Sequence, residues 1–141
     1  MQKSLGRLIA IIYRKKQIYV NTRLKEIGIT SGEVGFLMSL YRKEGQTQEA
    51  LCTSLHIDKA AATRALRILE SKGYVTKEQD CQDRRCNRIY LTKKARDIKT
   101  TVQNVMQRWS EIIAQSLGEE RYQELCCTLE QINNLEQKAW Q

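Results

Sequence analysis

Apolar side chains recur at helical spacing along most of this 141-residue chain, and in the middle that rhythm is lost. From residue 4 to residue 27, Leu5, Leu8, Ile9, Ile12, Val20, Leu24 and Ile27 predict one long helix; the basic run Arg14, Lys15 and Lys16 within it reads as a solvated turn. Gly28 stands where a glycine would end that helix. Thr30 and Glu33 have capping-box spacing and open a second helix, with Val34, Leu37, Met38 and Tyr41 inward, which stops at residues 44–45. Thr47 is the next cap, for a short helix through Ala50, Leu51 and Leu55. After a tight turn at His56 and Ile57, Asp58 caps another, with Ala62, Leu66 and Leu69 along its apolar edge. Two short helices joined so closely make a helix-turn-helix unit.

Residues 73–78 and 88–92 are rich instead in β-branched and aromatic side chains and predict two strands, joined by a polar turn over residues 79–87 with Arg84 and Arg85 adjacent. A two-stranded hairpin is marginal alone, so it is expected to lean on the helices with its tip standing out. Helical period then returns over residues 93–116, through Ala95, Ile98, Val102, Val105, Met106, Trp109, Ile112 and Ile113. Leu117 and Gly118 break it, and a last helix from Glu119 carries Tyr122, Leu125, Leu129, Ile132 and Leu135 toward Trp140. That is more apolar face than one pair of helices can bury, and with the first helix it predicts a bundle shared between two subunits.

Composition agrees with a helical protein: there is no proline, and seven glycines and one phenylalanine are the extent of two residue types that disfavour or decorate helices elsewhere. Charge adds a partner. The formal net charge is +8, and residues 1–40 and 41–94 carry +5 each while residues 95–141 carry −2, so a polyanion would meet the first two thirds of the chain. On the Asp58 helix, Ala60, Thr63, Arg64 and Arg67 cluster opposite the apolar edge. Small residues beside guanidinium groups suit a helix in a DNA major groove, where arginine is the commonest reader of guanine. The competing reading is a helical interaction module that uses its basic face on an acidic protein or a membrane surface. An enzyme is not expected: there is one histidine, no glycine-rich phosphate loop and no Gly-x-Ser-x-Gly. Neither Cys-x-x-Cys nor His-x-x-x-His spacing occurs, so no metal or cofactor is expected. The run from Leu8 to Ile12 is too short to cross a bilayer and no signal peptide is visible, which predicts a cytoplasmic protein.

The order Thr47, Leu51, Leu55, Asp58, Thr63-Arg64, Leu69-Glu70, Gly73-Tyr74-Val75, Asp83-Arg84-Arg85 and Leu91-Thr92 resembles the winged helix-turn-helix core of the MarR family of bacterial transcription regulators. The resemblance implies a mainly α fold with a small β-hairpin, one domain over residues 1–141. Within it, residues 30–92 would form the DNA-binding lobe, and residues 4–27 and 93–141 a helical dimerisation bundle. It implies a homodimer on a pseudo-palindromic operator of double-stranded DNA, expected to be a repressor released by a small aromatic effector, which the resemblance suggests, or by an oxidant, which the cysteines suggest. The expected DNA-binding residues are Thr47, Lys59, Ala60, Thr63, Arg64 and Arg67, with Asp83, Arg84, Arg85 and Arg88 from the hairpin. Arg85 would reach a narrow minor groove, with Asp83 near enough to hold it by a charge-assisted hydrogen bond. An effector crevice would be bordered by Tyr13, Met38, Tyr41 and Trp109. Of the five cysteines, Cys81 and Cys86 flank the hairpin tip and form a candidate redox pair that would face one another if the strands pair as drawn, with arginines favouring thiolate; the plainer reading is two cysteines in a polar loop of a reduced cytoplasm. Two departures stand out: Leu51-Cys52 where the family often has Leu-Ala, and Thr76 before Lys77 where a basic residue often comes one position earlier.

Overall fold

The computed structural model describes residues 3–141. Its chain order is α1 (Leu5–Arg23), α2 (Ser31–Arg42), β1 (Gln46–Thr47), α3 (Gln48–Leu55), α4 (Lys59–Ser71), β2 (Val75–Gln79), β3 (Asn87–Leu91), α5 (Lys93–Asp97), α6 (Lys99–Leu117) and α7 (Glu119–Asn133). Two compact units divide it, Met1–Met106 and Gln107–Gln141, with the boundary inside α6.

Helices start at side-chain caps, at Thr47 and Asp58 where the sequence placed them and at Ser4 and Thr92 besides. Ser4 accepts from Arg7 N, Thr47 from Ala50 N, Asp58 from Ala61 N and Thr92 from Ala95 N, each satisfying a first-turn N–H that has no helical partner. At α2, Glu33 reaches back to accept from the backbone N–H and the hydroxyl of Thr30, at 3.1 and 2.9 Å. The first predicted helix is shorter than its apolar repeat. It stops at Arg23, and Leu24 turns the chain into a 3₁₀ turn, Lys25–Ile27, closed by Gly28 in the left-handed region. Leu24 and Ile29 are buried on either side of that turn, so burial, not helical continuation, explains the apolar positions there. The predicted helix over 93–116 is likewise two, α5 and α6, which meet at Ile98. The last helix ends at Asn133, and a 3₁₀ turn, Gln137–Trp140, follows.

The expected two-stranded hairpin is a three-stranded antiparallel sheet in the order β1-β3-β2. Gln46 and Thr47 pair with Ile89 and Arg88, so β3 has neighbours on both sides. Gly45, at φ +74°, turns the chain into β1, and a Cβ there would come 3.2 Å from the Tyr90 ring. The core of the first unit gathers Val20 of α1, Phe36, Leu37 and Leu40 of α2, Leu51 of α3, Leu66 and Leu69 of α4, Val75 and Ile89 of the sheet and Val102 of α6. One ion pair crosses it at the surface: Lys72 Nζ lies 2.7 and 2.9 Å from the two oxygens of buried Glu33 and 2.6 Å from Gly28 O. The second unit has no buried side chain; Trp109, Ile113, Tyr122 and Ile132 are half-buried in it.

Candidate nucleic-acid interface

Helix α4 is alanine-rich, with one β-branched residue before Ile68, and its Asp58 cap gives it a defined start. Ala62, Leu66 and Leu69 are fully buried, which fixes the rotation of the helix about its axis. Ala60, Arg64 and Arg67 therefore face solvent, and neither arginine has a hydrogen-bond or ion-pair partner among the described residues. The turn before α4 is tight because His56 adopts φ 52°, ψ 45°, a left-handed conformation more usual for glycine or asparagine at a helix end. Its N–H and that of Ile57 close α3 onto the carbonyls of Thr53 and Cys52.

The hairpin tip is built differently. Gln79 pairs with Asn87, Asp80 N donates to Cys86 O, and Cys86 N donates to Asp83 O, so polar bonds alone define residues 80–86. Asp83 Oδ1 accepts from Arg85 N at 3.0 Å and from Arg85 Nε at 3.3 Å, the charge-assisted contact expected between them. Those two bonds, the backbone one first, hold the Asp83 carboxyl below its ordinary value of 3.8. Arg85 itself is 93% exposed. Arg88 is held inside the sheet: Nε lies 3.2 Å from Asp80 Oδ1 and a terminal nitrogen 2.7 Å from Gly45 O. Its guanidinium ties the β1 end to the hairpin, a positioning role beside the expected contact with DNA.

Between these two elements lies a cleft of about 600 Å³. Thr47 at the cap of α3, Gln48 of α3 and Lys59 and Thr63 of α4 form one wall; Lys77, Arg85 and Asn87 form the other. Three of its linings are cationic and Glu49 is the single acid. Of the expected DNA-binding residues, Thr47, Lys59, Thr63 and Arg85 thus share one concavity, and Ala60, Arg64, Arg67 and Arg84 are exposed. Gln48 and Asn87 belong with them and were not anticipated, and Lys77 joins them. Lys77 answers the displaced basic residue of β2: its half-buried side chain turns into the cleft while Thr76 is exposed.

The strands do not set the two cysteines face to face. The register sets Asp80, not Cys81, across from Cys86, and Cys81 follows exposed in the tip. Cys86 lies among carboxylates as well as arginines. Its thiol is raised above its ordinary value by desolvation first and then by its 3.5 Å hydrogen bond to Asp83 Oδ2, with further repulsion from Asp80 and Glu49. This is the reverse of thiolate activation. Of the effector-crevice residues, Met38 and Tyr41 pack against the core of the first unit, Tyr13 stands 57% exposed on α1, and Trp109 belongs to the second unit. The Tyr41 hydroxyl donates to Ala95 O at 2.6 Å, and burial, with the nearby Tyr74, pushes its pKa up to about 12. None of these four lines the cleft.

A buried-edge helix with free arginines, a tight turn before it and an arginine-tipped hairpin beside it define a winged helix-turn-helix DNA-binding protein. The chain belongs to the MarR family, whose model matches residues 29–87. The crystal structure of a MarR transcriptional regulator from Methanosarcina mazei Go1 is 36% identical, covers 91% of this chain and 92% of its own, and superposes with a TM-score of 0.85. A point mutant of MarR from E. coli in complex with operator DNA is 27% identical, covers 91% and 92%, and gives 0.82. Among curated proteins, the HTH-type transcriptional regulator BilQ of Clostridioides difficile (strain CD3) is 24% identical over 133 residues, 94% of this chain and 90% of that one. The protein is a DNA-binding transcriptional regulator and not an enzyme. Among the described residues, no helix is long and apolar enough to cross a membrane.

Proposed function

We propose that the chain is a cytoplasmic, homodimeric repressor that sets α4 in successive major grooves of a pseudo-palindromic operator and Arg85 in the flanking minor groove. The observation that carries the dimer is uncovered apolar surface. Leu5, Leu8, Ile9 and Ile12 on α1, and Leu125 and Leu129 on α7, are each 40–59% exposed, which a second copy would relieve. Two copies would present their recognition helices to half-sites about 34 Å apart. In this reading residues 30–92 carry the DNA contact and residues 4–27 and 93–141 the dimer contact. Lys59, Arg64 and Arg67 approach base edges beside Ala60 and Thr63, whereas Thr47, Arg84 and Arg88 hold or face phosphate. Release by a small aromatic effector is favoured over oxidation at Cys81 and Cys86, because desolvation and the Asp83 carboxylate raise the Cys86 thiol and so oppose the thiolate that oxidation needs.

The test couples sedimentation equilibrium with gel-shift titration on duplexes selected from a random library. A dimer of the chain binding a palindromic sequence, with a steep fall of affinity in salt, is expected. A monomer on a single half-site would overturn the dimer. Titrating the complex with a panel of phenolic acids, and separately with peroxide, decides the release signal. Dissociation by peroxide alone would reverse the preference stated above.

A further inference from the structure

The cleft contains one polar pair that joins α3 to α4, and its chemistry fixes which end of an amide is left over. Thr63 has a single hydroxyl hydrogen. Its Oγ1 lies 2.8 Å from Lys59 O, the bond a helical threonine makes to the carbonyl four residues earlier. The same oxygen lies 2.6 Å from Gln48 Nε2. With its hydrogen committed to Lys59, the hydroxyl can only accept from Gln48. The atom facing it must therefore be the amide nitrogen, and the orientation of the Gln48 side chain follows from hydrogen-bond accounting.

Two consequences follow for what the surface offers a duplex. Thr63 has no donor left, so it presents a methyl group and at most one lone pair. Gln48 keeps one N–H and its whole carbonyl oxygen, a donor beside an acceptor, in a cleft shared with Lys59, Lys77 and Arg85. In the major groove adenine shows an acceptor at N7 beside a donor at the 6-amino group, and glutamine reads that pair with two hydrogen bonds. Gln48 is the residue directly after the Thr47 cap, so its backbone is anchored by a helix start and its amide by Thr63. A side chain held at both ends loses little further freedom on contact.

We propose that Gln48 is a specificity-determining residue that reads an adenine in the major groove, and that Thr63 is the positioning residue that aims it. This rests on α4 meeting the major groove as proposed above, which brings the first turn of α3 to it through the Gln48–Thr63 bond. The adenine contact moves base reading partly from α4, where the sequence pointed, to the first turn of α3.

The experiment starts from duplexes that the wild-type full chain selects from a random library, followed by a set with each base pair changed singly and each adenine replaced by 7-deazaadenine. Wild type is expected to lose about tenfold or more at one A·T pair per half-site, on base change and on loss of N7 alike. Gln48→Ala and Gln48→Met should bind the selected duplex more weakly and show no further loss at that pair. Thr63→Val should blunt discrimination at the same pair, and Thr63→Ser should keep it. Circular dichroism and thermal midpoints identify any variant that fails to fold; the length-conserving Gln48→Met then carries the result. Wild-type discrimination in the Gln48 variants, or a loss spread evenly over all sequences as a phosphate contact gives, would overturn the adenine reading alone. Failure of the wild-type chain to select any sequence would overturn the operator reading with it.

Discussion

Helix α4 and the hairpin tip both present arginines, and they are held by opposite means. Ala62, Leu66 and Leu69 sink α4 into the core, so Arg64 and Arg67 inherit their direction from packing. At residues 80–86 no side chain is fully buried, and Arg85 inherits its direction from Asp83. A reader of base edges needs a fixed register, because a bidentate contact fails with small displacements. A reader of groove width needs reach, which a polar tether permits. The contrast predicts that α4 is disabled through stability and the hairpin through local chemistry.

The largest effect should come from the packed side. Leu66 is completely buried, so Leu66→Ala should cost about 2–5 kcal/mol of stability by denaturant unfolding, and DNA binding should fall with the folded fraction. A loss below 1 kcal/mol with wild-type binding would show that the orientation of α4 does not depend on that burial.

The same contrast explains what the sequence disclosed. Leu66 and Leu69 announce their side of α4 by periodicity, and Thr30, Thr47 and Asp58 announce their helix starts, since a cap acts within three residues. Strand β1 left no such signal. Gln46 and Thr47 are polar and two residues long, and they become a strand only because β3 lies alongside. The helix break at Leu24 was hidden because Leu24 is apolar and in phase, yet buried beyond the end of α1. Gln48 was invisible for a related reason: its partner Thr63 is fifteen positions away, and two polar residues at that distance carry no periodicity. Cys81 and Cys86 looked paired by symmetry about the turn, but the register is set by the bond from Asp80 N to Cys86 O. Local chemistry was therefore legible, and contacts between polar groups distant in sequence were not.

The two arginines should then differ in kind. Arg64→Ala should weaken binding to the selected duplex and relax base preference, with a discrimination loss of about 1–3 kcal/mol. Arg85→Ala should weaken binding about tenfold while leaving preference in the major groove unchanged, since its hold on the duplex is a charged contact without a base-edge code. Both variants should keep the wild-type thermal midpoint, because neither arginine is buried. Equal losses of Arg64→Ala on selected and random duplexes would remove it from base reading. Unchanged affinity for Arg85→Ala would remove the hairpin from the interface.

The smallest effect concerns the tether itself. Asp83→Asn keeps an oxygen for Arg85 N but withdraws the charge that faces Nε, so operator affinity should drop only a few-fold, less than for Arg85→Ala, as exposed ion pairs are weak. The sign with pH follows from the lowered carboxyl. The charged form is the one Arg85 favours, so the tether is complete above the ordinary carboxylate value and is lost as pH falls through the lowered one. Between pH 5 and 8 the ratio of wild-type to Asp83→Asn affinity should therefore stay flat. Carbon NMR titration of the Asp83 carboxyl should give a midpoint below 3.8, and Arg85→Ala should return it upward. A midpoint at or above 3.8 in the wild-type chain would mean that Arg85 is not tethered in solution. The hairpin tip would then be ordered only by the duplex it meets.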